Sequence, residues 1–174
     1  ALAHDLGHSP FGHSGEDALS DCLNARGLAS FNHNLHTAKI VTLLEQRYAA
    51  FDGLNLCWET LEGIAKHNGP LFGDLAADMN RLFAGFDLEL HTHASAEAQV
   101  AALSDDIAYN THDVDDGLRA GLLKFDALHE IALPARALAS IDADYPALPS
   151  DKRAFEVARR MISELVGDVL SHSR

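Results

Sequence analysis

The chain has 174 residues, 47% hydrophobic and 22% charged, enough for one domain with a real core and unlike a disordered or low-complexity chain. Thirteen basic against 26 acidic residues leave a net charge of −13, which argues against general coating of DNA or RNA, because such a surface repels phosphate backbones. No apolar run approaches the ~18 residues that cross a bilayer.

The first residues, Ala1-Leu2-Ala3-His4-Asp5, lack an initiator Met and a basic leader. They read as the inside of an apolar-periodic segment, so a fragment with a true start further upstream is expected. Gly12 to Asn24 reads as a helix, with Ala18, Leu19, Cys22 and Leu23 on one face and Gly27 as its stop. Glu16 and Asp17 read as negative charge placed near that helix's N-terminus. The next helix is expected over His33 to Tyr48. Asn55 is expected to cap a third helix running to about His67, which Asn68-Gly69-Pro70 ends. Residues 73–86 read as helical. Phe86-Asp87-Leu88-Glu89-Leu90 alternates like a strand, on only five residues.

Ser95 is expected to cap a long helix from Ala96 to about Gly117. Short pieces follow near Phe125 to Ile131 and Pro134 to Ile141. Ser150 then caps a last helix, Asp151 to Ser171, whose apolar stripe is Phe155, Val157, Ala158, Ile162, Leu165, Val166 and Val169. No repeat and no linker divides the chain, so residues 1–174 read as a single all-α helical bundle. Cys22 and Cys57 match no metal-knuckle spacing and read as reduced, buried thiols of a cytoplasmic protein. Trp58 reads as a core or interface anchor.

Eleven histidines are present, and five of them, His4, His8, His13, His33 and His36, fall in the first 36 residues. His4-Asp5 joins an imidazole to a carboxylate, a ligand set for a first-row divalent metal. Glycines nearby allow the tight turns that would bring His8 and His13 close to that pair. Any one of these histidines alone reads more readily as a surface or capping residue, and it is the whole string together that points to a site. Asp105, Tyr109, Asp113 and Asp116 recur along one face of the long helix. Such a stripe is either a solvated acidic face or a surface for a cation or a sugar's hydroxyl groups. His91 and His93 fall in a loop and receive no role, and His112 lies off the Asp105 face.

His4-Asp5 with a distant Asp105 resembles the HD superfamily of metal-dependent phosphohydrolases. Four strings, His4 to Glu16, Phe51 to Glu59, Lys66 to Pro70 and Asp105 to Asp113, are similar to bacterial dGTP triphosphohydrolase-like proteins. The resemblance runs from residue 1 to about 123, and the strings agree in order. It implies an all-α HD-domain helical bundle that cleaves a deoxynucleoside triphosphate to deoxynucleoside and inorganic triphosphate.

The resemblance further implies that His4, Asp5 and Asp105 hold a divalent metal, Mg²⁺ or Mn²⁺, with a fourth ligand, a His, upstream of this sequence. It places His8 and His13 near the α-phosphate, and His33 as an acid/base histidine that relatives pair with a carboxylate just downstream. Here Asn34, Leu35 and His36 follow instead. His33 and His13 are thus the catalytic candidates. Tyr109 and Asp113 match residues that hold the deoxyribose. Lys66 and Arg119 are candidates for the triphosphate's positive partners, and Lys66-His67-Asn68-Gly69-Pro70 is either a plain helix stop or a nucleotide or subunit contact. A homo-oligomer is expected. The chemistry is coherent, since an imidazole, with an ordinary pKa near ~6.5, can protonate a leaving 5′-oxygen. The rival readings are an HD phosphohydrolase acting on another nucleotide phosphate ester and a non-catalytic helical module for nucleotide sensing or assembly.

Overall fold

The computed structural model describes residues 2–173. Eight α-helices follow in chain order: α1 Gly12–Asn24, α2 His33–Lys39, α3 Trp58–Lys66, α4 Gly73–Leu82, α5 Ala96–Arg119, α6 Phe125–Leu128, α7 Ala132–Asp144 and α8 Ser150–His172. No strand occurs among the described residues, so the all-α expectation holds. No helix among them is long and apolar enough to cross a membrane. The chain divides into two compact units, residues 1–102 and 103–174.

The first unit is built on Val41, Leu61, Ile64, Met79, Leu88 and other buried apolar residues, with Trp58 and Leu75 packed against them. Trp58 is half-buried, and its indole N–H donates to the Asp87 carbonyl at 2.7 Å. The second unit closes on a separate core of Leu128, Ala137, Leu138, Ile141, Val157 and Met161, where α7 packs on α8. Arg160 pairs with Asp144 at 2.7 Å, and Arg136 with Glu164, along the same seam.

Several element ends differ from expectation, each for a local reason. The helix from His33 stops at Leu44, not Tyr48, and its last turn, Ile40–Leu44, is π-helical. The Leu54 N–H takes the Val41 carbonyl at 2.8 Å, so the Glu45 N–H reaches back to Ile40 instead, at 3.0 Å. Asn55 does not cap α3. It has a left-handed φ of 50°, and the helix starts at Trp58 behind Cys57. The Phe86–Leu90 alternation is real in burial, Leu88 and Leu90 in and Glu89 out, but it is a loop. Hydrogen bonds to the carbonyls of Asp87, Glu89 and Leu90, from the Trp58 indole, the Lys66 ammonium and the Leu71 N–H, tie it down. Ser95 behaves as expected, accepting from the Ala98 N–H at 3.4 Å.

Two burial expectations are corrected. Cys22 and Cys57 are both exposed, because α1 buries none of its residues in this chain and Cys57 precedes α3 on the surface. The stripe of α8 is rotated. It buries Ala154, Val157, Ala158 and Met161, while Phe155 lies outside and stacks under the Arg119 guanidinium, 3.9 Å from the ring centre.

A histidine cluster as the candidate active site

The segment that carries His4 and Asp5 is pinned to α2 by one buried hydroxyl. Thr37 Oγ1 accepts from the Gly7 N–H at 2.9 Å and donates to the His4 carbonyl at 3.1 Å. Only glycine allows that approach, because a Cβ at position 7 would run into the Thr37 backbone nitrogen and sit 2.6 Å from the His33 carbonyl oxygen. The chain thus draws the His4-Asp5 pair onto the helix that begins with His33. Gly15 does the same for α1, where a Cβ would collide with the Pro10 carbonyl oxygen.

Five imidazoles converge there. The His8 and His33 rings are stacked, with centres 4.6 Å apart and planes 24° from parallel. His13 sits edge-on to both, at 5.2 Å from His8 and 5.8 Å from His33. His67, at the C-terminus of α3, meets His4 edge-on at 5.2 Å and His33 at 6.4 Å. His4 Nε2 lies 3.6 Å from an Asp5 carboxylate oxygen. One donor atom from each of Asp5, His33 and His67 lies within 4.8 Å of the other two.

His33 finds its carboxylate upstream, not downstream. Its ring Nδ1 lies 2.7 Å from one Glu16 oxygen, and its backbone N–H donates to the other at 2.9 Å. Opposite a carboxylate Nδ1 must be the donor, which leaves Nε2 as the reactive nitrogen. Burial alone would raise the Glu16 carboxyl. The His33 backbone N–H and ring, with His8 nearby, hold it below the usual carboxylate value. Glu16 therefore serves His33 and not the α1 N-terminus, which corrects the reading of it as dipole-complementing charge.

His67 is the residue sequence reasoning missed. Its Nδ1 donates to the Ile64 carbonyl at 2.8 Å, again leaving Nε2. Burial pushes its imidazole below the usual value, and His4 adds to that, against the opposing pull of the Ile64 carbonyl and Asp5. A neutral imidazole with a fixed tautomer is the form that binds metals. The donor chemistry of His4, Asp5, His33 and His67 therefore fits a divalent ion.

Lys66 is not a phosphate-binding cation. It is buried, pairs with Glu62 at 2.7 Å, and donates to Thr92 Oγ1 and the Glu89 and His93 carbonyls. Arg119 is likewise engaged, by Asp115 at 2.9 Å and by the Phe155 ring. A cavity of about 740 Å³ lies between α3 and the first turns of α5, with His4 and His67 on its wall beside Gly63, Ala98 and Ala101. That is within the size range of small-molecule pockets. Asp105, Tyr109 and Asp113 follow one another along α5 just inside the second unit, all three exposed.

An all-α chain with a His-Asp pair set among further histidines defines a class, and a family model described as HD domain matches residues 1–110, so the chain belongs to the HD domain family. Curated relatives named deoxyguanosinetriphosphate triphosphohydrolase-like protein match nearly the whole chain. The one from Ruegeria sp. is 56% identical over 174 residues, covering 100% of this chain and 45% of the relative. The one from Bradyrhizobium sp. is 57% identical over 169 residues, covering 97% of this chain and 43% of the relative. The chain thus spans less than half the length of these relatives.

Proposed function

We propose that this chain is the catalytic part of a triphosphohydrolase that cleaves a deoxynucleoside triphosphate, dGTP or a close analogue, to deoxynucleoside and inorganic triphosphate. The observation that carries the reading is the His33–Glu16 pair held against the His4-Asp5 segment, in a family whose similar members bear that name. His4, Asp5 and Asp105 are the proposed ligands of a divalent ion, Mg²⁺ or Mn²⁺. Such an ion, when bound, polarises a phosphoryl oxygen and lowers the pKa of a coordinated water.

The chain's own residues do the rest. A water oxygen bonds to the α-phosphorus and gives up its proton to solvent, and the bond from that phosphorus to the 5′-oxygen breaks. His33 delivers a proton from Nε2 to the departing 5′-oxygen, while Glu16 holds the ring by Nδ1. His13, edge-on to His33, shares in the proton transfer, and His8 lies against the α-phosphate. Tyr109 and Asp113 bind the deoxyribose, with the Tyr109 ring where a 2′-hydroxyl would stand. The whole protein works in the cytoplasm as a homo-oligomer.

The test is product analysis with full-length protein, a panel of deoxy- and ribonucleotides, and Mg²⁺ or Mn²⁺. Inorganic triphosphate and free deoxynucleoside are expected, with deoxynucleotides preferred by about ten- to a hundredfold, which is ~1.4 kcal/mol per factor of ten. Tyr109→Ala narrows that ratio, and Asp105→Asn abolishes turnover on every substrate. Stepwise release of orthophosphate would overturn the reading and point to an ordinary phosphatase.

A further inference from the structure

We propose that the loop over residues 45–53, with the helix end that leads into it, is the surface on which two copies of this chain meet about a twofold axis. The placement rests on the homo-oligomer of the reading above, and not on its chemistry.

The loop is tied at its base. The Gly53 N–H donates to the Glu45 carbonyl and the Leu54 N–H to the Val41 carbonyl, both at 2.8 Å. Gly53 has a φ of 68°, and a Cβ there would sit 2.5 Å from the Thr42 carbonyl. Loops closed on themselves in this way are compact surface features. The π-helical turn at its foot, Ile40–Leu44, buries Val41 and turns Leu43 and Leu44 outward, 47% and 61% exposed. Tyr48 and Phe51 on the loop are 57% and 37% exposed, and their rings pair with centres 4.9 Å apart. Beside them Arg47 and Glu45 form an exposed ion pair at 3.0 Å. Aromatic and aliphatic side chains held rigidly in water, with charges of both signs around them, have the composition of an interface centre and its rim.

Charge selects the occupant. A chain at −13 repels its own copy over most of its surface. From Cys22 to Trp58, however, Arg26, Lys39 and Arg47 face only Glu45 and Asp52, a surplus of one positive charge. The apolar patch lies inside that stretch, where two copies can approach without the repulsion. A twofold contact sets the patch against itself, so Arg47 of each copy meets the surface that carries Glu45 and Asp52 in the other. The patch begins where the helix that starts at His33 ends, and it shares no residue with the histidine cluster.

The experiment is sedimentation velocity of full-length protein over a concentration series in reducing buffer. Tyr48→Ser and Phe51→Ser are each expected to raise the concentration at which the assembly halves its mass by about 30-fold or more, the effect of a residue at an interface centre. Circular dichroism and the thermal midpoint of the dissociated form stay unchanged. Arg47→Glu weakens the assembly about tenfold at low salt, and the deficit shrinks in ~1 M salt, where charges are screened within about 3 Å. Phe72→Ser, at an exposed ring outside the patch, leaves the assembly as it was. A full-length protein that is monomeric at every concentration overturns the proposal together with the homo-oligomer. An assembly that Tyr48→Ser and Phe51→Ser leave intact overturns the placement alone. If those variants instead lower the thermal midpoint and leave the assembly intact, another part of the longer protein covers the patch, and the proposal is wrong.

Discussion

Glu16 sits inside α1, yet its carboxylate serves another helix, 17 residues on, through both of its oxygens. Its pKa lies below the ordinary value, so the ionised form is favoured by folding. The stability this contributes is complete above the unfolded carboxylate's value and is lost as the pH falls through the folded one. In full-length protein, the gap in urea midpoint between the unsubstituted chain and Glu16→Gln should therefore be widest near neutrality and should close below about pH 4, the range in which a free glutamate takes up its proton. A gap that stayed constant across the titration would rule out the ionised Glu16 carboxylate as the source of that stability. At this scale much of the site was legible in the sequence. His4, Asp5, His8, His13 and His33 stand out by their crowding at the N-terminus, and the structure gathers the four histidines into one cluster of rings, His4 joining it through His67. Glu16 and His67 were not legible as site residues. The first reads locally as helix-terminal charge and the second as one member of a string that is either a helix stop or a nucleotide or subunit contact, and only tertiary packing gives each its partners. The His13-to-Glu16 spacing of three, which puts both on one helical face, was the available clue.

At the scale of elements, helix existence was readable from apolar periodicity, while helix ends were decided by contacts the periodicity does not contain. The π-helical turn after α2 depends on Leu54 claiming a carbonyl from a distant stretch of chain. The Glu62–Lys66 pair is a stronger case. The two side chains, one turn apart on α3, are both buried, and they bind the segment Glu89–Ser95 that leads into α5. Removing one partner strands the other charge, so Lys66→Met should cost about 3–5 kcal/mol. Glu62→Leu with Lys66→Met should recover a large part of that loss, and chemical denaturation of the three variants measures it. A double variant as unstable as the single one would show that the Lys66 hydrogen bonds to Thr92 and the nearby carbonyls matter more than the charge balance.

For the whole molecule, each of the two compact units closes on a core of its own. Composition cannot reveal such a division when α5 runs unbroken through residue 102. Leu138 is fully buried in the second core. Leu138→Ala should leave a cavity costing about 2–5 kcal/mol. Hydrogen exchange locates that loss, with faster exchange expected for the amides of α7 and α8. Unchanged protection there would mean that the α7–α8 seam is held by its Arg136–Glu164 and Arg160–Asp144 pairs and not by apolar packing.

The exposure of Cys22 and Cys57 bears on how this protein is handled. Two accessible thiols in one chain allow air oxidation to link neighbouring molecules covalently, so dimers and ladders can form in storage that have no bearing on native assembly. Sizing experiments therefore require a reducing buffer or a Cys22→Ser, Cys57→Ser chain before any oligomer is counted. The same two thiols, kept reduced, are ready attachment points for a spectroscopic label, one on α1 and one at the entrance to α3.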